Sequence, residues 1–344
     1  MDLVQMFLNL AFPPLAMFFL ALALPPLALM KMCGWVYHFI FSENMQGKVV
    51  LITGSSSGIG EQMAYQYAKK GAKLVLVARR EDHLKAVADK SSSIGAPAVH
   101  VIVADVSKEE DCKNFIEETI RIYGRLNHLV NNAGIAHSFL FEETVDPTRL
   151  QQVMDVTFWG SVYPTYYAIP HLKQVSGRIV VTASDAGWLP LPRMSLYNAA
   201  KAAVINFFDS LRIELGPSVG ITVATPGWTE SEMTRGKFIN RQGDLQFNQD
   251  VRDVQLGPWP VVSAEECGKA IVNGACRGER SVSIPKWGNV LFLYRLLAPQ
   301  LLEWASYLFY VRAAPQPLSK TAVDATGAKK ILYPSSIRQP LKSE

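Results

Sequence analysis

Cysteine is scarce and scattered. Cys33, Cys112, Cys267 and Cys276 lie far apart with no Cys-x-x-Cys pair, and His38 near Cys33 does not complete a ligand set, so neither a disulfide framework nor a zinc site is indicated. A reducing compartment is the default. Charge is also sparse. Charged residues make up 19% of the chain, and 34 Lys and Arg against 30 Asp and Glu leave a net +4 with no dense basic stripe, which excludes a nucleic-acid-binding surface. No internal repeat of solenoid period is visible. What the chain has in excess is apolar surface. With 49% hydrophobic residues and a mean hydropathy of +0.10, it is too apolar for disorder and slightly too apolar for an ordinary cytosolic enzyme, so part of it is expected to meet lipid. Its 344 residues allow one large α/β domain with appendages, or two small domains.

The excess sits at the N-terminus. From Leu3 to Met30 there is no charge, and the stretch is long enough to meet a membrane, but Pro13-Pro14 and Pro25-Pro26 break a straight helix twice. Leu15 to Leu24 spans about 15 Å as helix, half of a hydrocarbon core of ~30 Å. The expectation is a proline-knob hairpin over residues 1–42 that turns at Pro13-Pro14 and leaves on the side it entered. Trp35, Tyr37, Phe39 and Phe41 near Lys31 are its interfacial residues. A single kinked span is the other reading. A cleaved leader fits less well, because the stretch opens with Asp2 rather than a basic region.

Past Lys48 the chain alternates between β-branched runs and helical spacing. The runs are Val49–Thr53, Leu74–Ala78, Val99–Ala104, Leu129–Val130, Ile179–Ala183, Ile221–Thr225 and Val282–Ile284. This predicts an α/β fold, a doubly wound parallel sheet of Rossmann type, with sites beyond the carboxyl ends of the strands. After the first run comes Thr53-Gly54-Ser55-Ser56-Ser57-Gly58-Ile59-Gly60 and then helical Glu61 to Lys70. Glycine lets backbone turn tightly and approach a pyrophosphate at a helix N-terminus. The spacing is not Gly-x-Gly-x-x-Gly; a plain strand-to-helix connection is the bland alternative to a phosphate cradle. The second run ends Ala78-Arg79-Arg80 where an NAD-binding chain places an acid. Two guanidiniums suit a 2′-phosphate, so NADP(H) is the expected cofactor and no metal is expected.

Tyr197 and Lys201 stand four apart in Ser195–Leu215, whose composition suits a helix, so both project from one face. A neighbouring ammonium stabilises phenolate and makes the phenol a usable proton donor and acceptor. Ser184 lies just past a predicted strand, where it can hold a carbonyl or alcohol oxygen. Tyr-x-x-x-Lys alone is a weak signal; combined with the glycine turn it is strong.

With these residues assembled, Gln46 to Lys286 resembles the short-chain dehydrogenase/reductase family. The resemblance rests on the glycine turn, Asp105-Val106, Asn131-Asn132-Ala133-Gly134, Ser184, Tyr197-Asn198-Ala199-Ala200-Lys201 and Pro226-Gly227. It implies that Asp105 contacts adenine, that Asn132, Ala133 and Gly134 line the cofactor site, and that Tyr197 is the general acid/base. It further implies that Lys201 binds the nicotinamide ribose and Ser184 orients the reacting oxygen. Gly54, Ser56, Ser57, Gly58, Ile59, Gly60, Arg79, Arg80, Val106, Pro226, Gly227 and Thr229 complete the implied cofactor set. One departure is Thr157, at a place where the family commonly has asparagine supporting a water-linked proton path.

An apolar, proline-interrupted N-terminus joined to this domain is similar to the plant steroleosins, described as 11-β-hydroxysteroid dehydrogenase-like proteins of seed oil bodies. That resemblance implies a cytosol-facing catalytic domain (46–286) anchored in a lipid-droplet monolayer or an endoplasmic reticulum membrane, oxidising or reducing a sterol. A catalytically weak sterol- or NADPH-binding protein is the alternative, as is a reductase of other lipophilic carbonyls. Trp188, Met194 and Trp228 are expected to build an apolar substrate wall with Ser184 and Tyr197. Glu230 to Pro260 reads as a substrate lid or an idle surface loop. Residues 287–312 read as an amphipathic helical segment whose Trp304, Tyr307, Phe309 and Tyr310 meet an interface or a second copy of the chain, giving a possible homodimer. Residues 313–344 read as a weakly ordered polar tail.

Overall fold

One helix, α1 (Leu3–Ile40), takes up the apolar N-terminal segment in the computed structural model, which describes residues 3–40, 42–257, 259–312, 329–334 and 337. Pro13, Pro14, Pro25 and Pro26 all lie inside it, so the same-side hairpin is not formed. Each proline pair frees two carbonyls one turn back, those of Asn9 and Leu10 and of Ala21 and Leu22. The Leu, Ala and Met residues between them are strong helix formers, and reversing the chain would expose more backbone than the prolines do. Leu3–Gly34 is long and apolar enough to cross a membrane. Phe41 lies outside the described residues, as do the side chains of Lys31, Trp35, Tyr37 and Phe39. The chain divides after Glu43, and α1 forms the first unit by itself.

In the second unit every predicted run is a strand. They are β1 (Val49–Thr53), β2 (Lys73–Ala78), β3 (Val99–Val103), β4 (His128–Asn131), β5 (Arg178–Thr182) and β6 (Gly220–Pro226). A hairpin, β7 (Lys237–Ile239) and β8 (Leu245–Phe247), precedes β9 (Ser281–Ile284). The main sheet has seven strands, all parallel, in the order β3-β2-β1-β4-β5-β6-β9. The winding reverses between β1 and β4, which opens a crevice at their carboxyl ends.

The helices covering the sheet are α2 (Gly58–Lys69), α3 (Glu81–Ser93), α4 (Glu109–Tyr123), α5 (Gln151–Met154), α6 (Gly160–Gln174) and α7 (Ser195–Leu215). α8 (Gln249–Leu256), α9 (Ala264–Cys276), α10 (Asn289–Leu297), α11 (Pro299–Tyr307) and α12 (Lys329–Leu332) follow. Side chains alternate across a strand, so each run serves two cores. Val50 and Ile52 of β1 pack with Met63 and Tyr67 of α2, Leu84 of α3 and Ile271 of α9. Val49 and Leu51 pack the other face with Phe115 of α4, Leu172 of α6 and Phe208 of α7. Between α5 and α6 the chain widens into a π-turn, Asp155–Trp159, which carries Thr157.

The stretch read as a lid is built structure. Phe238 and Ile239 of β7 are buried in a third core with Met194, Tyr197, Phe139 and Val153. The C-terminal reading also changes. Trp304 and Tyr307 are exposed, but Tyr310 is buried and its hydroxyl accepts a bond from Trp259 Nε1 at 2.8 Å, so it faces the domain rather than an interface. The Phe309 side chain lies outside the described residues. Nor is the described part of the tail loose: Val261 N donates to Leu332 O at 2.9 Å, and Tyr333 and Ile337 join Leu256 and Val261 in a fourth core. The apolar residues spaced among the tail's polar ones account for that docking.

Candidate active site

Thr53, at the end of β1, ties the two strands that flank the crevice. Its Oγ1 accepts from Asn132 N at 3.0 Å, and the Asn132 amide donates back to Thr53 O at 3.2 Å and Gly54 O at 3.1 Å. Asn131 faces away and ties β4 to α6, its amide donating to Ser161 O and to Thr165 Oγ1. The clasp draws the turn so close that Gly54 takes φ +65°, and a Cβ there would stand 2.8 Å from Ala133 Cα. At Gly60 a Cβ would stand 2.3 Å from Gly54 O. Both positions require glycine because backbone occupies the side-chain space. The turn thus presents the N-terminus of α2 to a cleft that a dinucleotide's phosphates fit.

That cleft is a cavity of about 280 Å³ running from the glycine turn to the start of α7. Gly54, Ser56, Ser57, Gly58, Ile59, Arg79, Arg80, Asp105, Val106, Asn132, Ala133, Gly134, Pro226, Gly227 and Thr229 all line it. Gly60 does not; it packs behind the turn. Ser184, Tyr197 and Lys201 close the far end, with Met194 and Trp228. Trp188 lies instead in a smaller adjoining cavity of about 60 Å³, walled also by Trp228, Trp259, Trp287 and Tyr310. Asp185, Leu191, Gly227 and Trp228 line both cavities, so the two meet beside Ser184. The Asp105 carboxylate accepts from Ser107 N and Oγ, which fixes it at the cavity edge.

Ser184 Oγ accepts from Ala186 N at 3.2 Å and lies within donating reach of Asp185 Oδ1 at 3.1 Å and Pro226 O at 3.3 Å. Lys201 Nζ donates to Thr182 O at 2.7 Å and sits 5.7 Å from the centre of the Tyr197 ring. Burial governs all three titrating groups. It pulls the Lys201 ammonium down to about 7 and pushes the Asp185 carboxyl up to about 6 against its bonds from Ser184 and Ala186. It also pushes the Tyr197 phenol up, with the Asp185 charge adding to the rise and the Ser184 bond opposing it.

Residues 48–242 match the short chain dehydrogenase family. The chain belongs to that family. Among its relatives, an "11-beta-hydroxysteroid dehydrogenase" of Pinus massoniana is 54% identical, with 98% of this chain and 96% of that protein covered. The "11-beta-hydroxysteroid dehydrogenase 1A" of Arabidopsis thaliana is 49% identical over the whole of both chains. A short chain dehydrogenase/reductase from Burkholderia phymatum, solved in complex with NAD, shares the fold at TM-score 0.66 and 24% identity, over 75% of this chain and 96% of its own. An alcohol dehydrogenase from Thermococcus sibiricus, complexed with 5-hydroxy-NADP, does so at TM-score 0.57 and 24% identity, over 70% and 95%.

Three charged residues that line this dehydrogenase's cavity escaped the sequence reading, as did a buried histidine behind it. Asp185 was readable from its place next to Ser184. Glu232 and Lys237 reach the cavity from the stretch after β6, and no local pattern marks them. His137 accepts from Leu196 N at 3.0 Å and so caps α7; burial pulls its imidazole down to about 4, and a neutral ring is what lets Nε2 accept. Thr157 is fully buried, with its hydroxyl donating to Ile135 O at 3.1 Å and accepting from Ile135 N at 3.2 Å. It stands across Gly134 from Lys201, clasping backbone.

Proposed function

We propose that this chain is an NADP(H)-dependent oxidoreductase that interconverts hydroxyl and keto groups of a steroid or sterol at a lipid surface. The observation that carries the reading is the single cavity that joins the glycine turn and Arg79-Arg80 at one end to Ser184, Tyr197 and Lys201 at the other. The indole-walled cavity beside Ser184 supplies apolar surface of the kind a fused-ring lipid requires. Relatives named as hydroxysteroid dehydrogenases support the same substrate class.

The nicotinamide, when bound, supplies or accepts the hydride. The chain does the rest. Tyr197 moves the proton to or from the substrate oxygen, Ser184 holds that oxygen by a hydrogen bond, and Lys201, anchored on Thr182 O, holds ribose hydroxyls beside the phenol. Asp105 takes the adenine edge, and Arg79 and Arg80 take the 2′-phosphate. Residues 1–42 anchor the catalytic domain on a lipid droplet or the endoplasmic reticulum membrane, the domain facing the cytosol. The exposed Leu293, Leu297, Leu301 and Trp304 of α10 and α11 offer an apolar face for lipid or a second copy.

The test is NADP⁺ against NAD⁺ reduction by the detergent-solubilised chain with a panel of hydroxysteroids and simple lipid alcohols, with Tyr197→Phe alongside. Steroid-dependent NADPH formation that Tyr197→Phe abolishes is the expected result. Tight NADP(H) binding without turnover on any alcohol, or on the matching ketones in reverse, supports a binding protein instead. The committed Thr157 hydroxyl is the one feature that favours that second reading.

A further inference from the structure

Arg80 is already engaged from two sides. Its Nη2 donates to Ser56 Oγ at 3.2 Å and Ser57 Oγ at 3.1 Å, while its Nη1 pairs with Glu232 Oε1 at 2.5 Å. The other oxygen of Glu232 accepts from Lys237 Nζ at 2.8 Å. All five residues line the cofactor cavity. Glu232 comes from the segment after β6, which crosses the glycine turn: a Cβ on Gly58 would stand 3.2 Å from Ser231 Cβ. Burial pushes the Glu232 carboxyl up, but the bonds from Lys237 and Arg80 outweigh it and hold it below the ordinary carboxylate range. A carboxylate therefore sits where the proposed reading puts the 2′-phosphate.

Two anions cannot share one guanidinium edge without strong repulsion, so the phosphate and Glu232 compete for Arg80. We propose that Glu232 is a displaceable counter-ion for the 2′-phosphate subsite: it pairs with Arg80 in the free enzyme, yields Arg80 to the phosphate of NADP(H), and stays on Lys237. A cofactor that lacks the 2′-phosphate leaves the Glu232–Arg80 pair intact. Glu232 thereby weakens NADP(H) binding selectively and eases NADP⁺ release, which makes it a specificity-determining residue acting through Arg80. The inference rests on the NADP(H) reading.

The test is equilibrium titration of the full chain in detergent with NADPH and with NADH, followed by protein fluorescence, for wild type, Glu232→Gln, Glu232→Asp, Arg80→Ala and the Arg80→Ala/Glu232→Gln pair. The Arg80 and Glu232 side chains are 36% and 24% exposed, which limits the effect to about three- to ten-fold. Glu232→Gln is expected to tighten NADPH by that factor and leave NADH within about two-fold, and Glu232→Asp to stay near wild type. Without Arg80 the Gln substitution gains nothing, because the competition has lost its object. Glu232→Ala gives the same sign should the Gln amide repack. NADPH binding unchanged or weakened in both neutral variants overturns the inference, as does a selective loss of NADH, which would make Glu232 a ribose-hydroxyl acceptor. If wild type binds NADH at least as tightly as NADPH and Arg80→Ala leaves NADPH unaffected, the NADP(H) reading falls and takes the inference with it.

Discussion

Replacing Lys201 by methionine separates the cost of this site from its use. Lys201 is 3% exposed, and the pKa of its ammonium falls from 10.5 to about 7 through burial alone. A fall of that size means the fold disfavours the charged form by about 5 kcal/mol. The unfolded chain binds this proton up to about pH 10.5, whereas the native chain releases it near 7. Destabilisation is therefore complete below pH 7 and is relieved as pH rises from 7 to 10.5. Methionine removes the charge at similar length but leaves Thr182 O, now bonded at 2.7 Å, without its donor, a loss of about 1 to 3 kcal/mol. Lys201→Met should therefore stabilise the chain by about 2 to 4 kcal/mol at pH 6.5, raising Tm by about 5 to 10 °C while abolishing turnover. At pH 9.5 most of that gain should be gone. Thermal unfolding of both proteins in detergent at the two pH values, without added nucleotide, reads this directly. A methionine variant no more stable than wild type at pH 6.5, or a gain equal at both, refutes the assignment of Lys201 as a desolvated cation.

Asp185 follows the same logic with opposite sign. Its carboxyl is raised from 3.8 to about 6, so native protein is penalised progressively from pH 3.8 to 6 and fully above. Asp185→Asn should gain up to about 3 kcal/mol at pH 7.5 and little at pH 4, as urea unfolding would show. Gly60→Ala drives a methyl to 2.3 Å from Gly54 O and 2.5 Å from Asn132 Nδ2, and should cost about 2 to 4 kcal/mol and most cofactor affinity. Gly288→Ala, with nothing within 4 Å, is its silent control in the same melting and titration experiments. Thr157→Val strands Ile135 N and O and should cost about 1 to 3 kcal/mol. Thr157→Asn keeps a donor and an acceptor and should leave turnover unchanged or raised; a marked loss means the hydroxyl has a role an amide cannot fill.

The strands were legible because a parallel strand buried on both faces has to be apolar along its whole length, as Val49–Thr53 is. Tyr197 and Lys201 were legible because helix geometry turns a spacing of four into adjacency. Other features depend on partners far away in the chain. Arg80 and Glu232 are 152 residues apart, and no pattern around either reports the other. The hairpin of β7 and β8 packs Phe238 and Ile239 against Met194 and Tyr197, and the π-turn at Asp155–Trp159 sets Val156 and Phe158 against the core under α6 and α7; both depend on distant partners rather than on local propensity. At α1 the error was one of weighting. Proline pairs were read as a reversal, whereas Leu3–Ile40 is helical throughout, the strong helix formers between the pairs carrying it past them.

What sets the site apart from the rest of the domain is a concentration of unfavourable burial. Lys201, Asp185 and Tyr197 each lie in surroundings that oppose their charged forms, and all three line one cavity. Near neutral pH the cost falls on Lys201 and Asp185, because the Tyr197 phenol is uncharged there. The two cores on either face of the sheet offset them, anchored by residues such as Leu51, Phe115, Met63 and Tyr67 that are fully excluded from solvent. Chains hold to such arrangements only where the chemistry requires them, so substitutions that stabilise this protein should cluster at the cavity and remove activity. Substitutions in the sheet cores should instead cost stability and leave the pH dependence of turnover where it was.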